Sequence, residues 1–212
     1  MAGLITGIEP ERVAANLARI RERVGEGVEI LAAGKYVPLE EMGALAEGGV
    51  TLVGENRQQD LEAKQERWGE RFAWDFIGNL QSRKVPRLLG RVRLIHSLCT
   101  DSAVERLARH VEEIGDTGIL VQVNVAGEEG KGGVAVAELD EFIARCPVPV
   151  SGLSTMPPFT EDPERSRPHF ARLAELAAER GLERLSMGTT QDWPVAVEEG
   201  ATIIRVGTAL FT

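Results

Sequence analysis

Leu185-Ser-Met-Gly-Thr-Thr-Gln-Asp-Trp-Pro194 and Thr202-Ile-Ile-Arg-Val-Gly-Thr208 are the two stretches that decide the fold. Each reads as a short apolar strand that ends in glycine and hydroxyl residues. Between the strands, Asp192 is a candidate N-cap and the proline two residues later suits a first helical turn. The sequence therefore predicts a helix over residues 195–199 that stops at Gly200, with a strand on either side.

The ends of these two strands also form a candidate anion site. Backbone N–H groups near residues 189–190 and 207–208 would converge on a phosphate group, aided by the positive end of a helix dipole. In a (β/α)8 barrel, the loops after the seventh and eighth strands commonly hold phosphate. Two ordinary strand-to-helix turns would give the same pattern, and they remain the alternative interpretation.

Strand-like and helical segments alternate along the rest of the chain. The spacing of apolar residues predicts a leading helix over residues 9–24, outside the repeating pattern. Eight strands alternating with helices predict a parallel sheet, and eight units favour a closed (β/α)8 TIM barrel over an open doubly wound sheet. We expect residues 1–212 to form a single domain of this kind. Before the two strands quoted above, the predicted strands cover residues 29–35, 51–56, 74–79, 94–98, 118–124 and 150–156.

Two further helices have recognisable ends. Ser102 and Glu105 read as a capping box at the start of the helix that follows the fourth strand. Asp162 and Gly181 read as the two ends of a helix over residues 163–180.

The composition limits the classes of function. The chain has 24 basic and 33 acidic residues and a net charge of −9, which argues against nucleic-acid and membrane binding. An anionic ligand would therefore need a local site. Cys99 and Cys146 form no disulfide framework, and no apolar run is long enough to span a membrane, so a cytoplasmic protein is expected. His96, His110 and His169 lack metal-ligand spacing and read as structural or surface residues, so no metal is expected.

Lys35 is the strongest candidate for a chemically reactive residue. It would lie at the inner end of the first strand, where burial disfavours the charged form of an amine and leaves it able to form a Schiff base. The alternative is an ammonium group that reaches solvent at the barrel rim. A phosphate site on the last two strands favours the chemical interpretation, because the first strand adjoins the eighth in a closed barrel. Tyr36 should point away from Lys35, because adjacent strand residues alternate between faces.

Other polar residues also lie where strands are predicted to end. Arg205 ends the eighth strand, where it can neutralise a phosphate, donate to a ring nitrogen or form a structural ion pair. Asn56 and Asn79 can orient the polar edge of a ligand, although such asparagines also cap helices. The remaining residues at strand ends are Ser97, Asn124, Met156 and Met187.

A series of short motifs resembles the pyridoxal phosphate homeostasis protein family (YggS/PROSC), which is related to the N-terminal barrel of alanine racemase. The resemblance runs over nearly the whole chain in order. The motifs are Gly34-Lys35, Gly54-Glu55-Asn56, Phe76-Ile-Gly-Asn-Leu-Gln81 with Lys84, Leu94-Ile-His-Ser97, Gln122-Val-Asn124, Gly127-Glu-Glu-Gly-Lys131, Met156-Pro-Pro158, Leu185-Ser-Met-Gly188 and Arg205-Val-Gly-Thr208.

The resemblance implies a pyridoxal 5′-phosphate (PLP) cofactor held as a covalent aldimine on Lys35. It also implies a set of cofactor-binding residues around it. Asn56 would lie near the ring with Met187 beside it, Thr190, Gly207 and Thr208 would hold the phosphate, Arg205 would lie near the pyridine nitrogen or the phosphate, and Ser186 is a further candidate.

The implied function is PLP homeostasis, in vitamin B6 balance, with little or no turnover and no catalytic residues assigned. A PLP-dependent amino-acid racemase is the first alternative, but it needs an acid/base group on each face of the ligand and no convincing second base is evident. A Schiff-base aldolase acting on a sugar phosphate is the second, and it lacks an obvious strand-end carboxylate. The expected partners are PLP and PLP-dependent apo-enzymes, with no nucleic acid and no membrane, for a monomer or weak homodimer.

Overall fold

Eight parallel strands close into a ring in the computed structural model, which describes residues 3–212. Each strand pairs with the next, and the ring closes where Leu31 of the first strand lies opposite Arg205 of the eighth. The predicted (β/α)8 barrel is therefore confirmed, and the open sheet is excluded. The barrel strands are β1 (Glu29–Ala33), β2 (Leu52–Glu55), β3 (Ala73–Phe76), β4 (Leu94–Leu98), β5 (Gly118–Asn124), β6 (Val150–Ser154), β7 (Arg184–Thr189) and β8 (Ile203–Val206).

Helices follow the strands on the outside of the barrel. The leading helix α1 (Pro10–Val24) precedes β1 as predicted, and its Asn16 Nδ2 donates to the carbonyl of Leu210 at 3.2 Å, which ties the start of the barrel to its end. A further two-residue strand, Val134–Ala135, pairs with β5. The helices are α1 (Pro10–Val24), α2 (Met42–Glu47), α3 (Gln58–Trp68), α4 (Val85–Leu88), α5 (Asp101–Arg109), α6 (Leu139–Ala144), α7 (Arg167–Ala178), α8 (Trp193–Glu198) and α9 (Thr208–Phe211).

The barrel has an apolar interior that is separate from the larger core beneath the helices. Strand side chains alternate between the two faces, so every second residue points inward. The inward cluster contains no helix residue and consists of Leu31, Leu52, Leu94 and Ile203, with Ile77 packed against it. Apolar side chains thus fill the middle of the barrel, and the polar groups described below lie among the inward positions.

The first strand is shorter than predicted. It ends at Ala33, and Gly34–Tyr36 form a 3-10 turn, so Lys35 lies on a turn and not on a strand. The carbonyl of Gly34 accepts from the N–H of Val37 at 2.9 Å within this turn and also from the buried ammonium of Lys64 at 2.9 Å, so both a local and a tertiary hydrogen bond engage it where β1 ends.

Helix capping differs from the prediction at two of three positions. The N-cap of α5 is Thr100, whose hydroxyl accepts from the N–H of Ala103 at 3.3 Å, so Ser102 already lies inside the helix and the predicted capping box is wrong. Asp192 precedes α8, but its carboxylate makes no bond to that helix. Asp162 does cap, accepting from the N–H of Glu164 at 3.1 Å, although it begins a 3-10 turn and α7 follows it.

Within residues 3–212, no helix combines the length and apolar character needed to cross a bilayer.

Candidate functional site

A cavity of about 370 Å³ opens at the carboxyl ends of the barrel strands. This is the end at which barrels of this architecture carry their sites. It brings together residues from most of the strand ends. Its lining consists of Ile5, Ala33, Lys35, Tyr36, Asn56, Ile77, His96, Ser97, Gln122, Ser154, Met156, Thr189, Thr190, Gln191, Arg205, Gly207 and Thr208.

The charge of this cavity is opposite to that of the chain. Lys35 and Arg205 line it, and no aspartate or glutamate is among its described lining residues. The chain as a whole carries −9. Because β1 and β8 are neighbours, the two cations stand at adjacent strand ends. The cavity therefore suits an anion that the rest of the protein would repel.

Lys35 and Tyr36 both face this cavity. The prediction that Tyr36 points away is wrong, because it assumed a strand where the chain forms a 3-10 turn. The Lys35 ammonium lies 4.6 Å from the centroid of the Tyr36 ring, a cation–π contact. Lys35 is exposed, so its ammonium reaches the open rim as the alternative interpretation held. Its case for chemistry rests on its position in the cavity and not on burial.

Thr190 links the ends of β7 and β8. Its Oγ1 accepts from the N–H of Gly207 at 3.1 Å, which places a hydroxyl and a strand-end backbone side by side. The loop is fixed by Asp192, whose Oδ1 accepts from the N–H of Thr189 at 2.7 Å and whose Oδ2 accepts from the hydroxyl of Ser166 at 3.0 Å. The carboxylate predicted to cap α8 instead orders the loop beside the cavity.

Arg205 is buried in the barrel wall with only 7% of its surface exposed. One terminal nitrogen, Nη1, donates to the carbonyl and the hydroxyl of Ser186 at 3.1 and 2.8 Å, and Nη2 donates to the carbonyl of Thr155 at 2.8 Å. No carboxylate bonds to it among residues 3–212, so the structural ion pair is not observed. Burial lowers the pKa of Arg205 to about 10, which still leaves it charged at neutral pH.

A buried relay runs from Arg205 into the barrel. The Ser186 hydroxyl lies 2.8 Å from Nδ1 of His96, and Nε2 of His96 lies 2.9 Å from Oδ2 of Asp75. Asp75 also accepts from Arg93 at 2.9 and 3.0 Å. A neutral His96 with its proton on Nε2 satisfies every partner, because Arg205 donates to Ser186, Ser186 to His96, and His96 to Asp75.

The pKa directions agree with a neutral histidine and an ionised aspartate. Burial lowers the pKa of His96, and this effect outweighs the opposing influence of Asp75. Burial acts to raise the pKa of Asp75, but hydrogen bonds from His96 and Arg93 outweigh it and hold that pKa below its ordinary value.

The other predicted site residues take different positions. Asn56 lines the cavity, and its Oδ1 is buried with no hydrogen-bond partner among residues 3–212. Ser186 lies beneath the cavity, where it holds Arg205. Met187 does not reach the cavity but is fully buried in the outer core. Strand alternation explains this, because Ser186 points inward and its neighbour must point toward the helices.

The residues proposed from the sequence differ from the observed cavity lining in two ways. They include two strand-end asparagines that do not line the cavity, and they do not include several residues that do. Asn79 is exposed, and Asn124 instead binds the carbonyl of Glu128 at 2.9 Å. The missed residues include polar side chains at inward positions of otherwise apolar strands, so a strict count of alternation would have found them. They are His96, Gln122 and Ser154.

Comparison with known proteins identifies the family of barrels to which this chain belongs. Residues 8–212 match the family described as alanine racemase, N-terminal domain, and the chain belongs to that family of barrels. An alanine racemase of Clostridium difficile shares the fold, with a TM-score of 0.73 at 12% identity, and this chain covers 57% of it.

More similar relatives narrow the assignment. A pyridoxal phosphate homeostasis protein of Aquifex aeolicus is 41% identical, over 95% of this chain and 96% of that protein. One from Vibrio alginolyticus is 33% identical, over 89% and 88%. PipY of Synechococcus elongatus PCC7942, in a structure with PLP bound, has a TM-score of 0.81 at 32% identity, covering 94% of this chain and 100% of PipY. The chain is thus a member of the pyridoxal phosphate homeostasis protein family.

Proposed function

We propose that this protein binds PLP in the cavity, holds it as an aldimine on Lys35 and acts in PLP homeostasis with little or no turnover. The observation that carries the proposal is the pair of cations, Lys35 and Arg205, at adjacent strand ends of a cavity with no carboxylate among its described lining residues. The PLP bound by PipY supports the choice of ligand.

The residues present fit the groups of PLP. A cavity of about 370 Å³ is within the range that small ligands use, roughly 300–1,000 Å³. Thr190, Gly207 and Thr208 would hold the phosphate, beside the charge of Arg205. The free Oδ1 of Asn56 would accept a hydrogen bond from the ring hydroxyl, which would end its isolation as a buried unpaired oxygen. Met187 is not part of this proposal, because it lies in the outer core.

When bound, PLP would supply an aldehyde to the Lys35 amine, and a C=N bond would replace the aldehyde C=O bond, whose oxygen would leave as water. The chain's own groups then disfavour further chemistry. Both ring nitrogens of His96 are engaged, and the Tyr36 ring lies 4.6 Å from the Lys35 ammonium, so Tyr36 would approach the ligand from the same side as Lys35 and neither residue would supply a second base on the opposite face. Arg205 is a cation, which would disfavour a proton on a neighbouring pyridine nitrogen and weaken the cofactor as an electron sink.

The two alternative functions have less support. A racemase needs the second base just described. An aldolase of the Schiff-base type would need a carboxylate or a further lysine in the cavity, and the described lining has neither. Homeostasis would instead be exerted by holding PLP for PLP-dependent apo-enzymes.

The test is spectroscopic and covalent. Purified protein mixed with PLP should gain visible absorbance, and borohydride reduction should fix one adduct whose peptide contains Lys35. Lys35→Ala should lose the band and keep its circular dichroism. An adduct at Lys84 or Lys131, or an unchanged band in the variant, would refute the assignment. Alanine or serine racemised at about 1 s⁻¹ or faster would refute the low turnover.

A further inference from the structure

A buried ion pair lies directly beneath the turn that carries Lys35. Glu55, at the end of β2, is fully buried, and Lys64, on α3, is 5% exposed. The Lys64 ammonium bonds to Oε1 of Glu55 and also donates to the carbonyl of Gly34 at 2.9 Å. The pair therefore touches the residue immediately before Lys35.

Stability alone does not account for this pair. Burying two charges costs so much solvation that an apolar pair of similar size is often as stable or more stable. The second oxygen of Glu55, Oε2, is buried with no hydrogen-bond partner among residues 3–212, which adds to that cost. Burial also raises the pKa of Glu55, against the opposing influence of Lys64.

The fit between the turn and the pair is close. A side-chain carbon at Gly34 would overlap Oε1 of Glu55 and would press on Val53. Glycine at this position allows the backbone to rest on the carboxylate while Lys64 holds its carbonyl. The path of the Gly34–Tyr36 turn is therefore set from below, and Lys35 extends from its middle residue into the cavity.

We propose that Glu55 and Lys64 are positioning residues that seat the Gly34–Tyr36 turn and so direct the Lys35 amine into the cavity. The proposal rests on the proposed function, since it concerns the reaction of Lys35 with PLP. It assigns no contact with the ligand to either residue. Their effect passes through the backbone of Gly34.

A positioning role predicts that the rate of adduct formation changes while the affinity for a non-reacting analogue does not. A purely structural role would change the rate and the affinity together. Pyridoxine 5′-phosphate has the ring and phosphate of PLP but no aldehyde, so it reports binding without bond formation. Removing the hydrogen bond from Lys64 to the Gly34 carbonyl should slow the covalent step and leave the affinity for this analogue unchanged.

Lys64→Met is the first variant. We expect the rate of Lys35 adduct formation with PLP, followed by absorbance, to fall about tenfold or more, while analogue affinity changes less than twofold. Because Lys64→Met leaves Glu55 as an unpaired buried charge, the variant can fail to fold. The neutral variant Glu55→Gln/Lys64→Met avoids that charge, still lacks the donor to Gly34, and should show the same loss of rate.

Leu61→Ala is the matched control. Leu61 is fully buried on α3, one turn before Lys64, so its truncation weakens the packing of the same helix without removing the donor to Gly34. It should destabilise the fold and leave the adduct rate within twofold.

The outcomes separate this proposal from the proposed function. Wild-type protein that forms no adduct at Lys35 would refute the proposed function itself. Wild-type adduct formation with an unchanged rate in both Lys64 variants would refute the positioning role. That role would also be refuted if rate and analogue affinity fell together, or if Leu61→Ala slowed the reaction as much.

Discussion

The two cations of the cavity are supported in different ways. Lys35 is exposed on a 3-10 turn, and its support is an ion pair that touches only the backbone before it. Arg205 is buried on a strand, and its own guanidinium is held by Ser186 and the carbonyl of Thr155. The difference matches two tasks. Under the proposed function, a lysine that would form and release a bond needs a mobile side chain, whereas an arginine that would only hold a charge in place can be fixed in the wall.

The carboxylates of the two supports also respond to pH in opposite directions. The pKa of Asp75 lies below its ordinary value, so its contribution to folding is present above about pH 4 and is lost as the pH falls through the lowered pKa. The pKa of Glu55 is raised, so its contribution is present below about pH 4.5 and is lost as the pH rises through the raised pKa. The support of Arg205 is therefore the one best suited to neutral pH.

Gly34→Ala should have the largest effect, because it breaks the support of Lys35. The added carbon overlaps Oε1 of Glu55, so the carboxylate must move away from Lys64. Separating a buried pair costs about 3–5 kcal/mol, and we expect a loss of that size in the free energy of unfolding measured with urea.

Gly69→Ala is the control for that substitution. Gly69 has helical dihedral angles, φ −52° and ψ −43°, and nothing lies within 4 Å of the added carbon. It should be neutral or stabilising by about 0.4–1 kcal/mol. A Gly34→Ala variant as stable as Gly69→Ala would show that the turn is not seated on the pair.

Thr190→Ala should have the next largest effect and tests the Arg205 side of the cavity. It removes a hydroxyl beside the Gly207 N–H, and a charge-assisted hydrogen bond to phosphate contributes about 1.5–3 kcal/mol. We expect the dissociation constant for PLP to rise roughly tenfold to a hundredfold. Thr190→Ser keeps the hydroxyl and should bind nearly as the wild type does. Equal affinity for all three proteins would place the phosphate elsewhere.

Ser186→Ala breaks the relay below Arg205. It leaves Nδ1 of His96 buried without its donor and costs about 1–3 kcal/mol in the free energy of unfolding. It should also weaken inorganic phosphate binding, measured by calorimetry, because Arg205 loses one of its anchors. Thr117→Val, which removes a buried hydroxyl outside the cavity, should destabilise without changing phosphate affinity. The role of the relay would be refuted if the two variants bound phosphate equally well.

The smallest predicted effect is the pH response of His96. Its pKa in the folded protein is lowered from about 6.5, so the unfolded chain binds more protons below that pH. The free energy of unfolding should therefore fall as the pH drops below about 6.5, by at most about 1.4 kcal/mol per pH unit. Urea titrations at pH 7.5 and 5.5 measure this, and His96→Gln should flatten the slope. An equal slope in the variant would assign the effect to other groups.

The sequence correctly predicted those features of the fold that depend on the local spacing of apolar residues. Apolar periodicity indicated eight strands and the leading helix, and closure of the ring then placed Lys35 beside Arg205. The errors arose where distant residues decide local structure. Lys64 is 29 residues from Lys35 in sequence, yet it bonds to the carbonyl of Gly34 in the 3-10 turn that replaces the predicted end of β1 and that carries Tyr36 at the cavity.

The relay shows the same limit. His96 read as structural or surface because neither Asp75 nor Ser186 is near it in sequence, and the second of these bonds spans 90 residues. The error over Met187 had a local cause and did not depend on distant residues. Strand alternation alone would have turned it away from the cavity once Ser186 was known to point inward.

The cationic cavity in an acidic protein has a kinetic consequence. Away from the cavity mouth the net charge of −9 outweighs the two cations, so a doubly negative ligand approaching from solution is repelled there and is attracted only close to Lys35 and Arg205; salt screens both effects over about 8–10 Å. The association rate of the ligand would therefore be low and would rise as salt is added. An enzyme that attracts its substrate electrostatically shows the opposite dependence on salt.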